Sequence, residues 1–232
     1  LVEIKGIEKF ATKDFPGYIS STVFTGGCNF RCPFCHNADL VLNPGRLPTI
    51  DLNIFLSYLD SRIGWLDGIC LSGGEPLMHE DIEVLARVIK DRGLLVKIDT
   101  NGSFPERLEL LIQSGLVDQV AMDIKAPLDR YSEVVRVEVD LEKINRSVGF
   151  LKSSGVNYIF RTTFVPGLLG QEDLIRIGEW LNGAKAFQLQ QFTPHNTIDP
   201  DFLRIEPYPK DKLNDWAEQL RPYFGEVLVE GV

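Results

Sequence analysis

Short apolar runs and amphipathic stretches alternate along most of this chain. Residues 18–24 (YISSTVF) are rich in β-branched and aromatic side chains and predict a strand. Residues 52–63 place Leu52, Phe55, Leu56 and Leu59 on one helical face. A short apolar run over 68–71 ends in a Gly-Gly turn. The pattern then predicts a helix over 81–90 closed near Gly93 and a strand over 94–98. A helix over 105–114 follows, entered from Ser103 and closed by Gly115, and then a strand over 117–122. Further on come a helix over 140–154 closed by Gly155, a strand over 157–164, a helix over 172–181 closed by Gly183 and a strand over 186–189. A helix over 210–220 and a strand over 226–229 finish the pattern.

Strand–helix alternation at this period predicts parallel βαβ units. Polar or glycine-rich segments follow nearly every strand: Gly26-Gly27-Cys28, Ser72-Gly73-Gly74-Glu75, Asp99-Thr100-Asn101-Gly102, Asp123-Ile124-Lys125, Pro166-Gly167 and Phe192-Thr193-Pro194-His195. A site fed by the ends of all strands is the logic of a barrel, whereas a doubly wound sheet gathers its site at one switch point. With about six βα units, the expectation is an α/β fold, a partial (β/α)6 barrel of TIM type. No Gly/Ser run, low-complexity tract or long charge block marks a linker. One domain over 1–232 is expected, with 1–17 as a lead-in and 196–232 as a C-terminal extension.

The 232 residues suffice for one filled core, and 44% hydrophobic with 25% charged residues is an ordinary globular balance. The formal net charge of -9 argues against a phosphate-backbone partner, so nucleic acid is not expected. No apolar stretch reaches the ~18 residues of a membrane span, and no leader pattern opens the chain, which points to the cytoplasm.

Three of the four cysteines fall in one loop, Cys28-Asn29-Phe30-Arg31-Cys32-Pro33-Phe34-Cys35, and Cys70 stands alone in an apolar run. Clustered thiols suggest a reducing compartment and a metal centre rather than disulfides. Three thiolates can hold a [4Fe–4S] cluster and leave one iron without a protein ligand. On chemistry alone a zinc site completed by His36, or inert thiols, stay open. The other segments are weak signals in isolation. Gly73-Gly74 is a plain turn unless a ligand approaches the backbone, where Glu75 could take an ammonium. Asp123 and Lys125 flank Ile124 and share one side of a strand end, which could be a simple exposed ion pair. Arg161 could be a surface arginine and His195 a structural histidine. Cys70 reads as a core residue of its strand.

Taken together, the cysteine loop with Phe34 before its last cysteine, Ser72-Gly73-Gly74-Glu75-Pro76, Asp99-Thr100-Asn101-Gly102, Asp123-Ile124-Lys125 and Arg161 with Val165-Pro166-Gly167 resemble the radical S-adenosylmethionine (SAM) enzymes. Within them, the chain looks like the glycyl-radical-enzyme activases. The opening Gly6-Ile7-Glu8-Lys9-Phe10 and Asp14-Phe15-Pro16-Gly17, with Gln190-Gln191-Phe192-Thr193-Pro194, resemble members assigned to anaerobic ribonucleoside-triphosphate reductase.

The resemblance implies a [4Fe–4S] cluster on Cys28, Cys32 and Cys35 and SAM as the second cofactor. Phe34 would shield the cluster near the adenine, and Gly73, Gly74 and Glu75 would hold the amino group. Asp99 and Asn101 would belong to the same SAM-binding set. Asp123, Lys125 and Arg161 would contact ribose and carboxylate, and His195 the methionyl or adenosyl part. Asp99, Thr100 and Asp123 would hold a monovalent cation. The implied activity is reductive SAM cleavage to a 5′-deoxyadenosyl radical that activates a partner glycyl radical enzyme, with flavodoxin or ferredoxin as electron donor. No second cluster is expected, because residues 39–51 contain no cysteine. The competing readings are a radical SAM enzyme for a small molecule, such as a 7-carboxy-7-deazaguanine synthase-like enzyme, and a metal-bearing interaction protein without turnover.

Overall fold

A computed structural model describes residues 2–231, so Leu1 and Val232 of the expected domain lie outside the described residues. The chain folds as two compact units that interleave in sequence. The first comprises Leu1–Asn29, Asp39–Thr100 and Phe104–Ala121; the second comprises Phe30–Ala38, Asn101–Ser103 and Met122–Val232. Among the described residues no helix is long and apolar enough to cross a membrane.

The first unit holds β1 (Ile4–Ala11), β2 (Ser20–Thr25), β3 (Gly68–Gly73) and β4 (Leu95–Thr100). Strand β1 runs antiparallel to β2, while β2–β3 and β3–β4 are parallel. Its helices are α1 (Ala38–Leu42, whose first residue belongs to the second unit), α2 (Leu52–Asp60), α3 (Ile82–Lys90) and α4 (Pro105–Gln113). Helix α2 starts where the Asp51 side chain accepts the Asn53 N–H and buries Phe55 and Leu59. It stops three residues short of the expected end, in a turn where the Arg62 N–H donates to the Leu59 carbonyl at 2.9 Å and Ile63 and Trp65 stay exposed. Strand β1 was not anticipated: Gly6 and the charged Glu3, Lys5, Glu8 and Lys9 mask an edge strand whose outer residues face solvent. In the core of this unit, β3 is covered on both faces, with Ile69, Cys70 and Leu71 fully buried.

Strand β5 (Gln119–Asp123) begins in the first unit and ends in the second. The second unit continues with α5 (Tyr131–Val135), α6 (Leu141–Ser154), β6 (Asn157–Phe164), α7 (Gln171–Leu181), β7 (Ala184–Gln191), α8 (Lys210–Leu220) and β8 (Phe224–Glu230). The β6–β7 and β7–β8 pairs are parallel. Helix α6 has the cleanest ends: the Asp140 side chain accepts the Glu142 and Lys143 N–H groups, and Gly155 closes it at φ 78°. The core here is aromatic, with Phe160, Phe164, Phe187 and Phe192 all fully buried.

Candidate functional site

The functional side chains sit where strands end, and each unit carries its own group of them. In the first unit, β2 runs into Gly26-Gly27-Cys28 and β3 into Ser72-Gly73-Gly74-Glu75. These two loops touch backbone to backbone. The Glu75 N–H donates to the Gly27 carbonyl at 2.8 Å, and the Gly74 N–H to the Thr25 carbonyl at 3.0 Å. A Cβ on Gly74 would lie 1.8 Å from the Gly27 oxygen, so only glycine permits this approach. The Glu75 side chain is buried, and its Oε1 accepts the Leu77 N–H at 3.0 Å and the Thr100 hydroxyl at 2.7 Å. The Gly-Gly-Glu segment and the Asp-Thr-Asn-Gly segment are thus joined through Glu75 and Thr100.

Asp99, at the end of β4, is ion-paired with Lys97 and accepts the Ser72 hydroxyl at 3.5 Å. Lys97 was not singled out in the sequence, although its side chain is only 2% exposed. The signal was available, since Lys97 and Asp99 are two apart on a strand and share a face, as Asp123 and Lys125 do.

In the second unit, the remainder of the cysteine loop lies beside the end of β5. Cys32 and Phe34 are buried and Cys35 half-buried; Cys28, in the first unit, is also half-buried. None of the four cysteines forms a disulfide. The Asp123 carboxylate pairs with Lys125 at 3.1 Å and with the Arg161 Nε at 2.9 Å. The strand geometry explains this: Ile124 points into the core, and its N–H donates to the Arg161 carbonyl at 2.7 Å. Burial alone would raise the Asp123 carboxyl, but Arg161 and Lys125 overcome it and hold the pKa down at about 2. Burial works against the Lys125 ammonium too, yet the charges of Asp123, Cys32 and Cys35 keep it well above the ordinary lysine value. Burial pushes the Cys35 thiol up, opposed by a backbone hydrogen bond from Asn37 and by Lys125.

Tyr131 is a second residue that the sequence did not flag. It is fully buried, its hydroxyl accepts the Lys125 N–H at 3.2 Å and lies 3.4 Å from the Asp123 carbonyl, and its ring meets Phe30 edge-on. One side chain therefore braces both the cysteine loop and the Asp-Ile-Lys segment. The cysteine loop is also pinned by the chain after β7. Imidazole Nε2 of His36 lies 2.7 Å from the Thr193 carbonyl, Asn196 donates to the His36 carbonyl at 2.9 Å, and the Asp199 N–H to the Pro33 carbonyl at 3.0 Å. His195 stands exposed in this same segment. Asn101 has turned its side chain to the backbone, accepting the Ser103 N–H at 2.9 Å in the Gly102 turn.

Among the described residues, no group of three or more His, Cys, Asp or Glu side chains converges on one point as a single metal ion demands. Three thiolates that bind three different irons of a cubane have no such requirement. The donor set suits a cluster: three thiols in one loop, no disulfide among them, and the Lys125 cation within electrostatic reach of two of them.

Known proteins agree with this geometry. The family model described as the Radical SAM superfamily matches residues 22–179. A Methanocaldococcus jannaschii protein, provisionally named as a glycyl-radical enzyme activating enzyme, is 35% identical over 99% of this chain and 96% of its own length. The pyruvate formate-lyase-activating enzyme of Streptococcus mutans is 29% identical over 89% of this chain and 82% of its own. Among solved structures, Streptococcus suis SuiB bound to S-adenosylmethionine has a TM-score of 0.68 at 14% identity, covering 88% of this chain but only 48% of that one. A domain of a Bacteroides vulgatus pyruvate-formate lyase-activating enzyme has a TM-score of 0.57, covering 71% of this chain and 99% of that domain. The likeness bears out the expected fold class, an α/β parallel sheet flanked by helices in the partial-barrel architecture. The chain belongs to the radical SAM superfamily and to its glycyl-radical-enzyme-activase-like group.

Proposed function

We propose that this chain activates a glycyl radical enzyme, using SAM as the source of a 5′-deoxyadenosyl radical that removes an α-hydrogen from a partner glycine. The observation that carries this reading is the Asp123–Lys125–Arg161 group, whose lysine stands in the field of Cys32 and Cys35. The names of the M. jannaschii and S. mutans relatives support the choice of a glycyl partner.

Membership of the superfamily implies a [4Fe–4S] cluster and SAM. Cys28, Cys32 and Cys35 would hold the cluster. When bound, the cluster supplies the one electron that cleaves the SAM sulfonium to methionine and the radical. The residues of the chain then have separable tasks. Lys125 and Arg161 are cations suited to a carboxylate, and Asp123, kept anionic by them, suits ribose hydroxyls. Glu75 is held by Leu77 and Thr100 in one rotamer and suits an ammonium, and Gly73 and Gly74 let backbone approach it. Phe34 offers a buried ring near the thiols, and Asn101 shapes the turn after β4. His195, exposed beyond β7, lies on the segment that braces the cysteine loop and would face the adenosyl or methionyl part. Abstraction of a hydrogen atom needs no proton acceptor, so orientation and exclusion of quenchers are what the protein adds.

The test is anaerobic: reconstituted protein, reduced flavodoxin or ferredoxin, SAM, and a candidate partner. The opening segment directs the first trial to anaerobic ribonucleoside-triphosphate reductase, and the S. mutans relative directs the second to pyruvate formate-lyase. A glycyl doublet in the electron paramagnetic resonance spectrum of either partner supports the reading. SAM consumption with a small-molecule product and no partner radical contradicts it.

A further inference from the structure

The family resemblance implies that Asp99, Thr100 and Asp123 share a bound monovalent cation. In the folded chain each of these carboxylates already has cations of the protein against it. Asp123 has Lys125 and Arg161, and Asp99 has Lys97. We propose that Lys97 is the built-in counter-ion of Asp99, a positioning residue that takes the place of an exogenous monovalent cation on that carboxylate. The proposal rests on the reading that Asp99 belongs to the SAM site.

Three observations carry it. The Lys97 side chain is 2% exposed, and a buried ammonium has to be paired to remain charged. It emerges from β4 in direct register with Cys70 of β3, and its Nζ lies 3.7 Å from the Cys70 sulfur. Asp99, two residues along the same face, is 16% exposed and is held by Lys97 on one oxygen and by Ser72 on the other. The ammonium thus approaches the carboxylate from the buried side and fixes its rotamer toward the strand end. The neighbouring Thr100 hydroxyl donates to Glu75 at 2.7 Å. With its charge compensated from within, Asp99 offers an incoming potassium or sodium ion little net attraction, and the Lys97 charge repels it.

The experiment compares wild type, Lys97→Met and the double variant Lys97→Met/Asp99→Asn in potassium, sodium and choline chloride at equal ionic strength. SAM affinity of the reconstituted protein is measured by calorimetry, and thermal melting is measured on cluster-free protein. The wild type should bind SAM and melt alike in all three salts. Lys97→Met should bind SAM about tenfold more weakly in choline, recover with potassium or sodium, and show a melting temperature raised by those ions specifically. The double variant, with neither charge, should melt higher than Lys97→Met and lose the ion-specific shift, so the pairing can be read even where the single variant is poorly folded. A wild type whose SAM affinity rises severalfold with potassium overturns the proposal. So does a double variant that melts no higher than Lys97→Met. If the wild type binds no SAM in any salt, the functional reading fails instead, and the melting series alone decides the role of Lys97.

Discussion

Replacing Gly74 by alanine tests the close approach on which the first unit's site is built. The added Cβ would lie 1.8 Å from the Gly27 oxygen, 2.5 Å from its carbonyl carbon and 3.3 Å from the Cys28 nitrogen. These are backbone atoms, so no side-chain rotation relieves the clash. The loops must separate by about 1.2 Å to bring the first contact to the 3.0 Å limit of real Cβ contacts. That movement breaks the 2.8 Å hydrogen bond from Glu75 to Gly27. Overpacking costs roughly 1–3 kcal/mol and the lost hydrogen bond about 1 kcal/mol more, giving roughly 3 kcal/mol in total. The displaced segment leads directly into Cys28, so iron incorporation and SAM binding should fall together with stability. Gly149, in α6, is the control: a Cβ there meets nothing within 4 Å, and alanine should stabilise the helix by roughly 0.5–1 kcal/mol. Urea unfolding of the cluster-free proteins gives the stabilities, and iron content with SAM calorimetry gives the site. A Gly74→Ala protein with wild-type midpoint and SAM affinity would refute the argument.

Other expectations follow from the second unit. Asp123→Asn removes the shared partner of Lys125 and Arg161, both mostly buried, and should cost about 2–3 kcal/mol in urea unfolding while weakening SAM binding. Because folding lowers the Asp123 pKa from about 4 to about 2, its contribution is fully present above pH ~4 and is lost as pH falls toward 2, about 2 kcal/mol in all. Stability of wild type minus Asp123→Asn across that range measures it; a difference that does not shrink on acidification contradicts the pairing. Tyr131→Phe keeps the ring against Phe30 but loses the hydroxyl bonded to the Lys125 N–H, and should cost about 1 kcal/mol with slower SAM-dependent turnover. Cys32→Ser should leave near zero of the about four irons per chain that a [4Fe–4S] site holds, read by iron and sulfide analysis.

Legibility in the sequence depended on whether a residue's partner lay nearby in the chain. Helix α6 was legible at both ends because Asp140 and Gly155 are local signals with local mechanisms. Strand β6 was legible because its polar and apolar positions alternate over its full length. Strand β7 is longer than expected, since Gln190 and Gln191 look like loop residues, but Gln190 pairs in register with Thr163 of β6 and Glu230 of β8, and Gln191 with Phe164 of β6. Strand β1 and the short helices α1 and α5 left no periodic trace, being held by tertiary contacts rather than by propensity. The same rule governs the site. Asp123 and Lys125 declared themselves by spacing, and Arg161 became meaningful only beside them. Tyr131 and the His36–Thr193 contact, which joins residues 157 positions apart, carry no short-range signal at all.

The central claim is that a hydrogen atom moves from a partner glycine to the adenosyl group of SAM. It is tested most directly with a partner enzyme whose glycines carry deuterium at the α-carbon. After anaerobic reaction with the reduced protein and SAM, mass spectrometry of the 5′-deoxyadenosine should find one deuterium per molecule, in step with the glycyl doublet. Unlabelled 5′-deoxyadenosine formed at the same rate with and without the partner would contradict the claim.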